Sequence, residues 1–315
     1  MKALFLVGGQ GTRLRPFTNH LPKPMIPIMG RPLLERNCAR LLECGVEEVV
    51  MNPCYMPHKI TGHFKDGKDF GIQVHYVSEE QPLGTGGTIK NTQHLYDDSF
   101  YVFNGDGACD VPLEDMTDFH RQSNADVTIA ATYVEDPTPY GIIDYDDDDR
   151  ILQFKEKPRP EDVTSHYINE GIYIFEPHVL EDILAGRPVS VEREVFPALL
   201  EKGANLGVYR DVGYWMDIGT PEKYVQTHRD IFTGGCNLTE ADFAQDDVFV
   251  DPTATLADNV YLDGNVFVGR CAEVGSDSQL AETVVGDGAV VGRGSYLEDV
   301  IIWPGAHIPP YSVFQ

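Results

Sequence analysis

Hydrophobic residues in the first two-thirds of the chain form short apolar runs that alternate with helical patterns. The run Met1–Val7 leads into a glycine cluster, and Arg31–Cys44 has the spacing of an amphipathic helix that ends at Gly45. Another apolar run follows at Glu48–Asn52. Two more strands and one more helix are predicted at Gln73–Val77, Phe100–Phe103 and Thr88–Leu95. Alternating strands and helices favour an α/β fold with a mixed, mostly parallel sheet.

Two later segments have recognisable turn and capping signals. Residues 140–158 predict a hairpin whose turn is the acidic run Asp146–Asp149, for which a solvated turn is a better interpretation than a metal site. A helix is predicted over Thr220–Phe232, with Thr220 as the N-cap and Pro221 in the first helical position. We therefore place the end of an α/β domain at residue 232, giving a first domain of residues 1–232.

The last quarter of the chain has a period of six instead of a helical period. The periodic aliphatic or aromatic positions are Val250, Leu256, Leu262, Val268, Val274, Leu280, then, after a slip of one residue, Val285, Val291 and Leu297, and finally Ile302, Ile308 and Phe314. A left-handed parallel β-helix has this period, because each hexad places one apolar side chain inside the coil. The pattern predicts a second domain over residues 233–315 that is a β-helix of hexapeptide repeats.

Composition excludes several classes of protein. The net charge is −26, so a polynucleotide-binding role is disfavoured. No apolar run approaches the length of a membrane span, and no signal peptide is recognisable at the start of the chain. The six cysteines show no metal-binding or disulfide spacing, which predicts reduced thiols and a cytoplasmic location. Against the acidic background, residues 1–40 carry seven basic residues and one acid, which suggests a bound anion.

The glycine cluster after the first strand is the sharpest chemical signal. Residues 6–16 read LVGGQGTRLRP and are followed by PKPM at 22–25. A glycine turn lets backbone N–H groups approach a phosphate, and Arg13 and Lys23 supply positive charge for a departing pyrophosphate. A Walker A loop is absent, and Leu14 stands where a dinucleotide fingerprint needs its third glycine.

At this point the chain resembles the sugar-1-phosphate nucleotidyltransferase family, and most of all its mannose-1-phosphate guanylyltransferases. Eight motifs carry the resemblance in order: 6–25, EEQPLGTGG at 79–87, FNGD at 103–106, YGII at 140–143, FKEKP at 154–158, NEGIYIFEP at 169–177, VEREVFP at 191–197 and WMDIGTPEKY at 215–224. The resemblance implies a Rossmann-like nucleotidyltransferase domain, and a hexapeptide β-helix is a common second domain in that family.

The resemblance also implies roles for individual residues. Arg13, Lys23, Asp106 and Asp217 would be catalytic, and the two aspartates would hold Mg²⁺. Residues expected to bind the nucleotide are Gly8, Gly9, Gly11, Thr12, Gln81 and Gly84. Residues expected to bind the sugar phosphate are Gly141, Glu156, Lys157 and Asn169. Family sequences often have N-A-G where this chain has Asn169-Glu-Gly.

The expected reaction needs no general base, because the phosphate oxygen of the sugar 1-phosphate is already ionised. That oxygen attacks the α-phosphorus of a nucleoside triphosphate and pyrophosphate leaves. GTP and mannose 1-phosphate are the expected pair. Gln81 favours a thymine or uracil base and leaves a thymidylyl- or uridylyltransferase acting on glucose 1-phosphate as an alternative, whereas Glu79 or Glu80 beside it would suit guanine. The alternative that is not an enzyme is a non-catalytic paralogue that binds a nucleotide sugar and regulates an active partner. The β-helix is expected to mediate homo-oligomerisation.

Overall fold

The computed structural model describes residues 1–210, 213–236, 238 and 247–315. These residues separate into two compact units, one formed by Met1–Met25 with Leu34–Gly219 and the other by Ile26–Leu33 with Thr220–Gln315. Residues 237 and 239–246, at the start of the predicted second domain, lie outside the described residues. The domain boundary after residue 232 stays a prediction.

Both units contain β-strands. In chain order they are β1 (Ala3–Leu6), β2 (Pro27–Ile28), β3 (Arg31–Pro32), β4 (Glu48–Met51), β5 (Gln73–Tyr76), β6 (Phe100–Asn104), β7 (Gly107–Cys109), β8 (Val127–Tyr133), β9 (Gly141–Tyr145), β10 (Ile151–Glu156), β11 (Tyr167–Phe175), β12 (Leu206–Arg210), β13 (Trp215–Asp217), β14 (Val248–Val250), β15 (Thr255–Leu256), β16 (Tyr261–Val268), β17 (Glu273–Val274), β18 (Gln279–Val285), β19 (Val290–Val291), β20 (Tyr296–Glu298), β21 (Ile301–Ile302), β22 (His307–Ile308) and β23 (Val313–Phe314).

The α-helices are α1 (Leu33–Glu43), α2 (Pro57–Phe64), α3 (Gly84–Asn91), α4 (Leu113–Ser123), α5 (Phe196–Glu201) and α6 (Pro221–Phe232). Three of them, α1, α3 and α6, correspond to helices predicted from sequence, and α2, α4 and α5 were not predicted. In α6 the Oγ1 atom of Thr220 accepts the N–H of Lys223, as expected for an N-cap. α3 begins at Gly84, four residues before the predicted start. The prediction missed the first turn because that turn is glycine-rich and has no apolar period. None of the described helices has the length and apolar character needed to cross a membrane.

A nine-stranded sheet forms the centre of the first unit. Strands β5, β4, β1 and β6 are parallel neighbours, and β11 joins β6 in the antiparallel direction. β11 also pairs with β8 and β9, and β12 runs parallel to β8. This arrangement confirms the predicted mixed α/β sheet. Two apolar clusters cover the two faces of the sheet. Side chains alternate between the faces along β1, so Leu4 belongs to one cluster and Phe5 to the other.

The hexad positions of the second unit form three parallel ladders. In the first, Val250 pairs with Val268, Val268 with Val285, and Val285 with Ile302. The second ladder joins Leu256, Val274, Val291 and Ile308. The third joins Leu262, Leu280, Leu297 and Phe314. The one-residue slips in the sequence therefore keep every periodic residue beside an equivalent one, and most of these side chains pack into one apolar cluster.

A short hairpin from early in the chain belongs to the second unit. Its strands β2 and β3 are joined by Met29 and Gly30, and the hydroxyl of Tyr224 in α6 donates to the carbonyl of Pro27 at 2.8 Å. Gly30 has φ +73°, and a Cβ there would lie 2.9 Å from the ring of Phe267. Glycine is required at this position both for the turn and for the close packing.

Candidate active site

A cavity of about 520 Å³ lies where the carboxyl ends of three parallel strands meet. These strands are β4, β1 and β6, which are adjacent in the sheet. Ligands in open α/β sheets bind at this edge. The structure brings eight of the predicted site residues to the cavity wall: Gly8, Gly9, Gly11, Thr12, Arg13, Lys23, Gly84 and Asp106.

The loop after β1 is shaped by one glycine in particular. Gly11 has φ +59°, and a Cβ on it would lie 3.0 Å from Cβ of Lys23 and 3.1 Å from Cγ2 of Thr18. The hydroxyl of Thr18 also donates to the carbonyl of Gly11 at 2.9 Å. A short 3₁₀ turn follows at Thr12–Leu14, which buries Leu14 and leaves the side chain of Arg13 71% exposed. The loop thus combines an accessible backbone with an exposed cation.

Lys23 joins the two predicted metal-binding aspartates. Its Nζ lies 2.9 Å from Oδ2 of Asp106 and 2.8 Å from Oδ1 of Asp217, and its side chain is only 7% exposed. Arg13 is a second cation beside Asp217, at 3.5 Å. Burial disfavours the charged ammonium, but the two carboxylates outweigh that effect and raise the pKa of Lys23 above its ordinary value of 10.5. Lys23 is therefore permanently protonated and places a positive charge at the edge of the cavity.

The same pair of aspartates has the donor chemistry that a hard divalent cation requires. Carboxylate oxygens suit such an ion, and the ammonium of Lys23 already occupies the position of a cation between them. Among the described residues no group of three or more His, Cys, Asp or Glu side chains is arranged to hold a metal. Substrate oxygens and water would have to complete the ligand set, as is usual for Mg²⁺.

Three of the predicted sugar-phosphate residues lie together at the end of a hairpin. Gly141 pairs with Glu156 across β9 and β10, and the N–H of Lys157 donates to the carbonyl of Tyr140 at 2.9 Å. Lys157 has φ +51°, an unusual conformation for a lysine, and its Nζ lies 4.0 Å from Glu156. Burial, and then the nearby carboxylate of Glu192, raise the pKa of Glu156 above its ordinary value. None of these three lines the cavity described above.

Asn169, the fourth predicted sugar-phosphate residue, forms side-chain hydrogen bonds with residues of its own strand. Its amide nitrogen donates to the hydroxyl of Tyr173 at 2.8 Å, and its Oδ1 accepts the N–H of Gly171 at 2.9 Å. Gly171 has φ +81°, and a Cβ there would lie 2.6 Å from Nδ2 of Asn104. Asn104 itself lines the cavity. This packing connects the strand that carries Asn169 to the cavity wall.

The structure distinguishes between Gln81 and Glu79, two neighbouring candidates for contact with the nucleotide base. Gln81 is exposed and does not belong to the cavity wall, whereas Glu79 does. Oε2 of Glu79 accepts the N–H of Leu83 at 3.0 Å, and its Oε1 accepts the hydroxyl of Thr88. Gly84, at the start of α3, lines the same region, together with Gly8 from the loop after β1.

Several residues of the cavity wall are absent from the set predicted from sequence. Among them are Asn52, Cys54, Thr85, Thr88, Asn104 and Gly219, while Glu79 was named only as an alternative to Gln81. One signal could have found two of them, since Asn104 ends strand β6 and Asn52 directly follows strand β4. Polar side chains at the carboxyl ends of parallel strands point to the ligand edge of such a sheet.

Comparison with known proteins agrees with this geometry. The family model described as nucleotidyl transferase matches residues 2–234. A mannose-1-phosphate guanylyltransferase of Mycobacterium tuberculosis is 41% identical over 94% of this chain and 82% of its own length. A UTP–glucose-1-phosphate uridylyltransferase of Synechocystis is 30% identical over 100% of this chain and 87% of its own length. A solved structure of HddC from Yersinia pseudotuberculosis complexed with GMP-PN has a TM-score of 0.63 and 29% identity, covering 73% of this chain and 98% of that one.

The fold and the site define a nucleotidyltransferase of the open α/β class. The chain belongs to the nucleotidyl transferase family, and within it to the sugar-phosphate nucleotidyltransferases. Enzymes of this family typically use a divalent metal.

Proposed function

We propose that this protein transfers a guanylyl group from GTP to mannose 1-phosphate and releases pyrophosphate. The observation that carries the choice of nucleotide is the position of Glu79, whose carboxylate lines the cavity beside Gly8 and Gly84. The guanylyltransferase relative from Mycobacterium tuberculosis supports the same pair of substrates.

The argument for guanine rests on hydrogen-bonding capacity. The groups that bond to Glu79 are all donors, namely Leu83 N–H, Thr88 Oγ1, Asn52 Nδ2 and, weakly, Cys54 Sγ. The carboxylate therefore offers a ligand only acceptor positions. Guanine has two adjacent donors, N1–H and the N2 amine. Thymine and uracil have a carbonyl on each side of N3–H, and those carbonyls would face a negative charge. A buried mismatch of this kind costs about 1–3 kcal/mol, enough to select the nucleotide.

The remaining cavity residues fit the chemistry of the phosphates. The loop from Gly8 to Thr12 would present backbone N–H groups to the triphosphate, and Arg13 and Lys23 would stabilise the charge that develops on the leaving pyrophosphate. Outside the wall of this cavity, Lys157, Glu156 and Gly141 would bind the sugar 1-phosphate, with Lys157 on its phosphate. Alignment of the ionised phosphate oxygen with the α-phosphorus is then the main source of rate enhancement.

Asp106 and Asp217 are the residues that would hold Mg²⁺, consistent with their shared position around one cation. When bound, the metal would supply a positive charge to the phosphate oxygens. The ammonium of Lys23 would then leave its place between the carboxylates and donate to a phosphate oxygen within the same cavity.

For the second unit we infer a left-handed β-helix of hexapeptide repeats that mediates homo-oligomerisation. Three parallel ladders of periodic residues support the coil, and the division of domains after residue 232 is proposed on the same change of period. Light scattering of the full chain tests the assembly, since a monomer at micromolar concentration would contradict it. The cytoplasmic location stays a prediction from cysteine spacing.

A competition experiment tests the proposed nucleotide. GTP, UTP, dTTP and ATP are supplied at equal concentration with mannose 1-phosphate, and the nucleotide sugars are separated by chromatography. Wild type should form the guanosine product, and Glu79→Gln should lose that preference in favour of UTP or dTTP. Gln81→Glu is the matched control and should leave the preference unchanged. A wild-type preference for UTP or dTTP would establish the uridylyl- or thymidylyltransferase alternative, and no product with any nucleotide would favour the regulatory paralogue.

A further inference from the structure

Asn52 connects three segments that meet at the base end of the cavity. It directly follows β4, its side chain is 4% exposed, and it lines the cavity. Its Oδ1 accepts the N–H of Val7 at 2.9 Å, one residue before the glycine loop. Because that backbone N–H can only donate, the amide orientation is fixed and Nδ2 must point the other way.

The fixed amide nitrogen reaches the carboxylate of Glu79 both directly and through a threonine. Nδ2 of Asn52 lies 3.2 Å from Oγ1 of Thr88 and 3.3 Å from Oε1 of Glu79. Thr88 is 2% exposed and its hydroxyl donates to the same Oε1. When the Asn52 amide donates to Thr88, the Thr88 hydroxyl has its proton free for Glu79, and such chains of hydrogen bonds reinforce one another.

We propose that Asn52 and Thr88 are positioning residues that set the base preference of this enzyme by orienting Glu79. Oε1 accepts from Asn52 and Thr88, and Oε2 accepts the N–H of Leu83. The thiol of Cys54 also lies 4.0 Å from Oε2, but its single weak S–H donor can bond instead to the carbonyl of Asn52 at 3.5 Å, and Oε2 then has an acceptor position for a donor of the base. Loss of the Thr88 hydroxyl would remove one of the bonds that hold Oε1. The carboxylate of Glu79 could then rotate, and Oε2 would no longer point in one direction. This inference rests on the proposed role of Glu79 in guanine recognition.

The most sensitive probe is a pair of nucleotides that differ by one donor. Inosine triphosphate lacks the N2 amine of GTP and is otherwise identical, so the ratio of the two kcat/KM values reports that single contact. Thr88→Val is close to isosteric and removes only the hydroxyl, and it should lower the GTP/ITP ratio about tenfold, chiefly through KM for GTP. Thr88→Ser keeps the hydroxyl and should restore the wild-type ratio.

Two further variants separate positioning from general damage to the fold. Thr92→Val removes a buried hydroxyl one turn further along, which donates to carbonyl groups of α3 and has no hydrogen bond to Glu79 among the described contacts. This variant should leave the ratio unchanged. Asn52→Asp places a second carboxylate beside Glu79 and should lower the ratio at least as much as Thr88→Val. It carries the test if thermal unfolding shows that Thr88→Val does not fold.

The outcomes distinguish this inference from the function on which it rests. If Glu79→Gln lowers the GTP/ITP ratio while Thr88→Val and Asn52→Asp retain the wild-type value, the positioning role is wrong and guanine recognition by Glu79 stands. If Glu79→Gln also retains the wild-type ratio, the assignment of the base contact fails and the positioning role fails with it. An equal loss in Thr88→Val and Thr92→Val would likewise overturn the proposal.

Discussion

The ammonium of Lys23 lies 2.8 Å from Oδ1 of Asp217, although the two residues are 194 positions apart in the chain. Asp106 makes the equivalent contact from the opposite side at 2.9 Å. The lysine thus neutralises two carboxylates that would otherwise repel each other, and it occupies the place that we propose for the metal cation. The contact thus joins three residues that are distant in the sequence and that we propose to be catalytic.

Replacement of Lys23 by methionine should have two opposite effects. Turnover should fall about 10²–10³-fold, because a stabilising charge on the leaving pyrophosphate is lost. Binding of Mn²⁺ to the nucleotide-free protein should become tighter, because the competing ammonium is gone. Electron paramagnetic resonance titration measures the metal binding directly. Lys65→Met, at an exposed lysine, is the control, and weaker or unchanged Mn²⁺ binding in Lys23→Met would contradict this role.

Asp106→Asn and Asp217→Asn should each reduce kcat by at least about 10²–10³-fold, since each loses one carboxylate of the pair. Melting temperatures should stay close to wild type, because asparagine keeps the shape of the side chain. Asp136→Asn, in an exposed turn, is the matched control. Near wild-type turnover in either variant, measured by pyrophosphate release at saturating Mg²⁺, would exclude that residue as a ligand.

Two lysines of one segment provide a test of the sugar-phosphate site. Lys157→Met should raise KM for mannose 1-phosphate about tenfold or more and leave KM for GTP unchanged, because only one substrate loses a charge-assisted contact. Lys155 bonds instead to Thr164 and Asp144, so Lys155→Met should change neither value. Initial-rate kinetics with each substrate varied in turn decide the matter, and equal increases in both KM values would argue against a specific phosphate contact.

Buried His120 makes stability depend on pH. Its ring bonds to Thr128 and Glu176, and burial, only partly opposed by Glu176, lowers its pKa below the ordinary 6.5. In the window from 6.5 down to the folded-state pKa the unfolded chain binds the extra proton, so the free energy of unfolding falls as the pH falls. The slope is at most about 1.4 kcal/mol per pH unit.

Urea unfolding between pH 7.5 and 5 measures this slope in wild type and in His120→Gln. The variant should show a flatter dependence, and His20→Gln, at an exposed histidine, should behave as wild type. Identical slopes in wild type and His120→Gln would show that another group is responsible.

Much of the fold follows from local patterns, and the hexads are the clearest case. Leu262, Leu280 and Leu297 were predicted from spacing alone, and they pair side by side in the parallel sheet. The strand β1 and the helix α1 were also predicted within two residues at each end. A periodic pattern predicts such elements because one repeated face must be buried.

Other features depend on contacts between distant segments and have no periodic signal. The hairpin β2–β3 lies inside the first domain predicted from sequence, residues 1–232, yet it belongs to the second unit. Pro27 contacts Tyr224, and Gly30 packs against Phe267. Which of Glu79 and Gln81 faces the cavity depends on the backbone of an irregular segment. The motif therefore points to the region proposed for the base contact, whereas only the structure shows that Glu79 and not Gln81 lines the cavity.

The most direct test of the whole account is a matrix of nucleoside triphosphates against sugar 1-phosphates, with pyrophosphate release as the readout. GTP, ATP, UTP and dTTP are each combined with mannose 1-phosphate and with glucose 1-phosphate in the presence of Mg²⁺. The account predicts the highest kcat/KM for GTP with mannose 1-phosphate and strong discrimination against the pyrimidine nucleotides. A higher kcat/KM for UTP or dTTP with glucose 1-phosphate would contradict it.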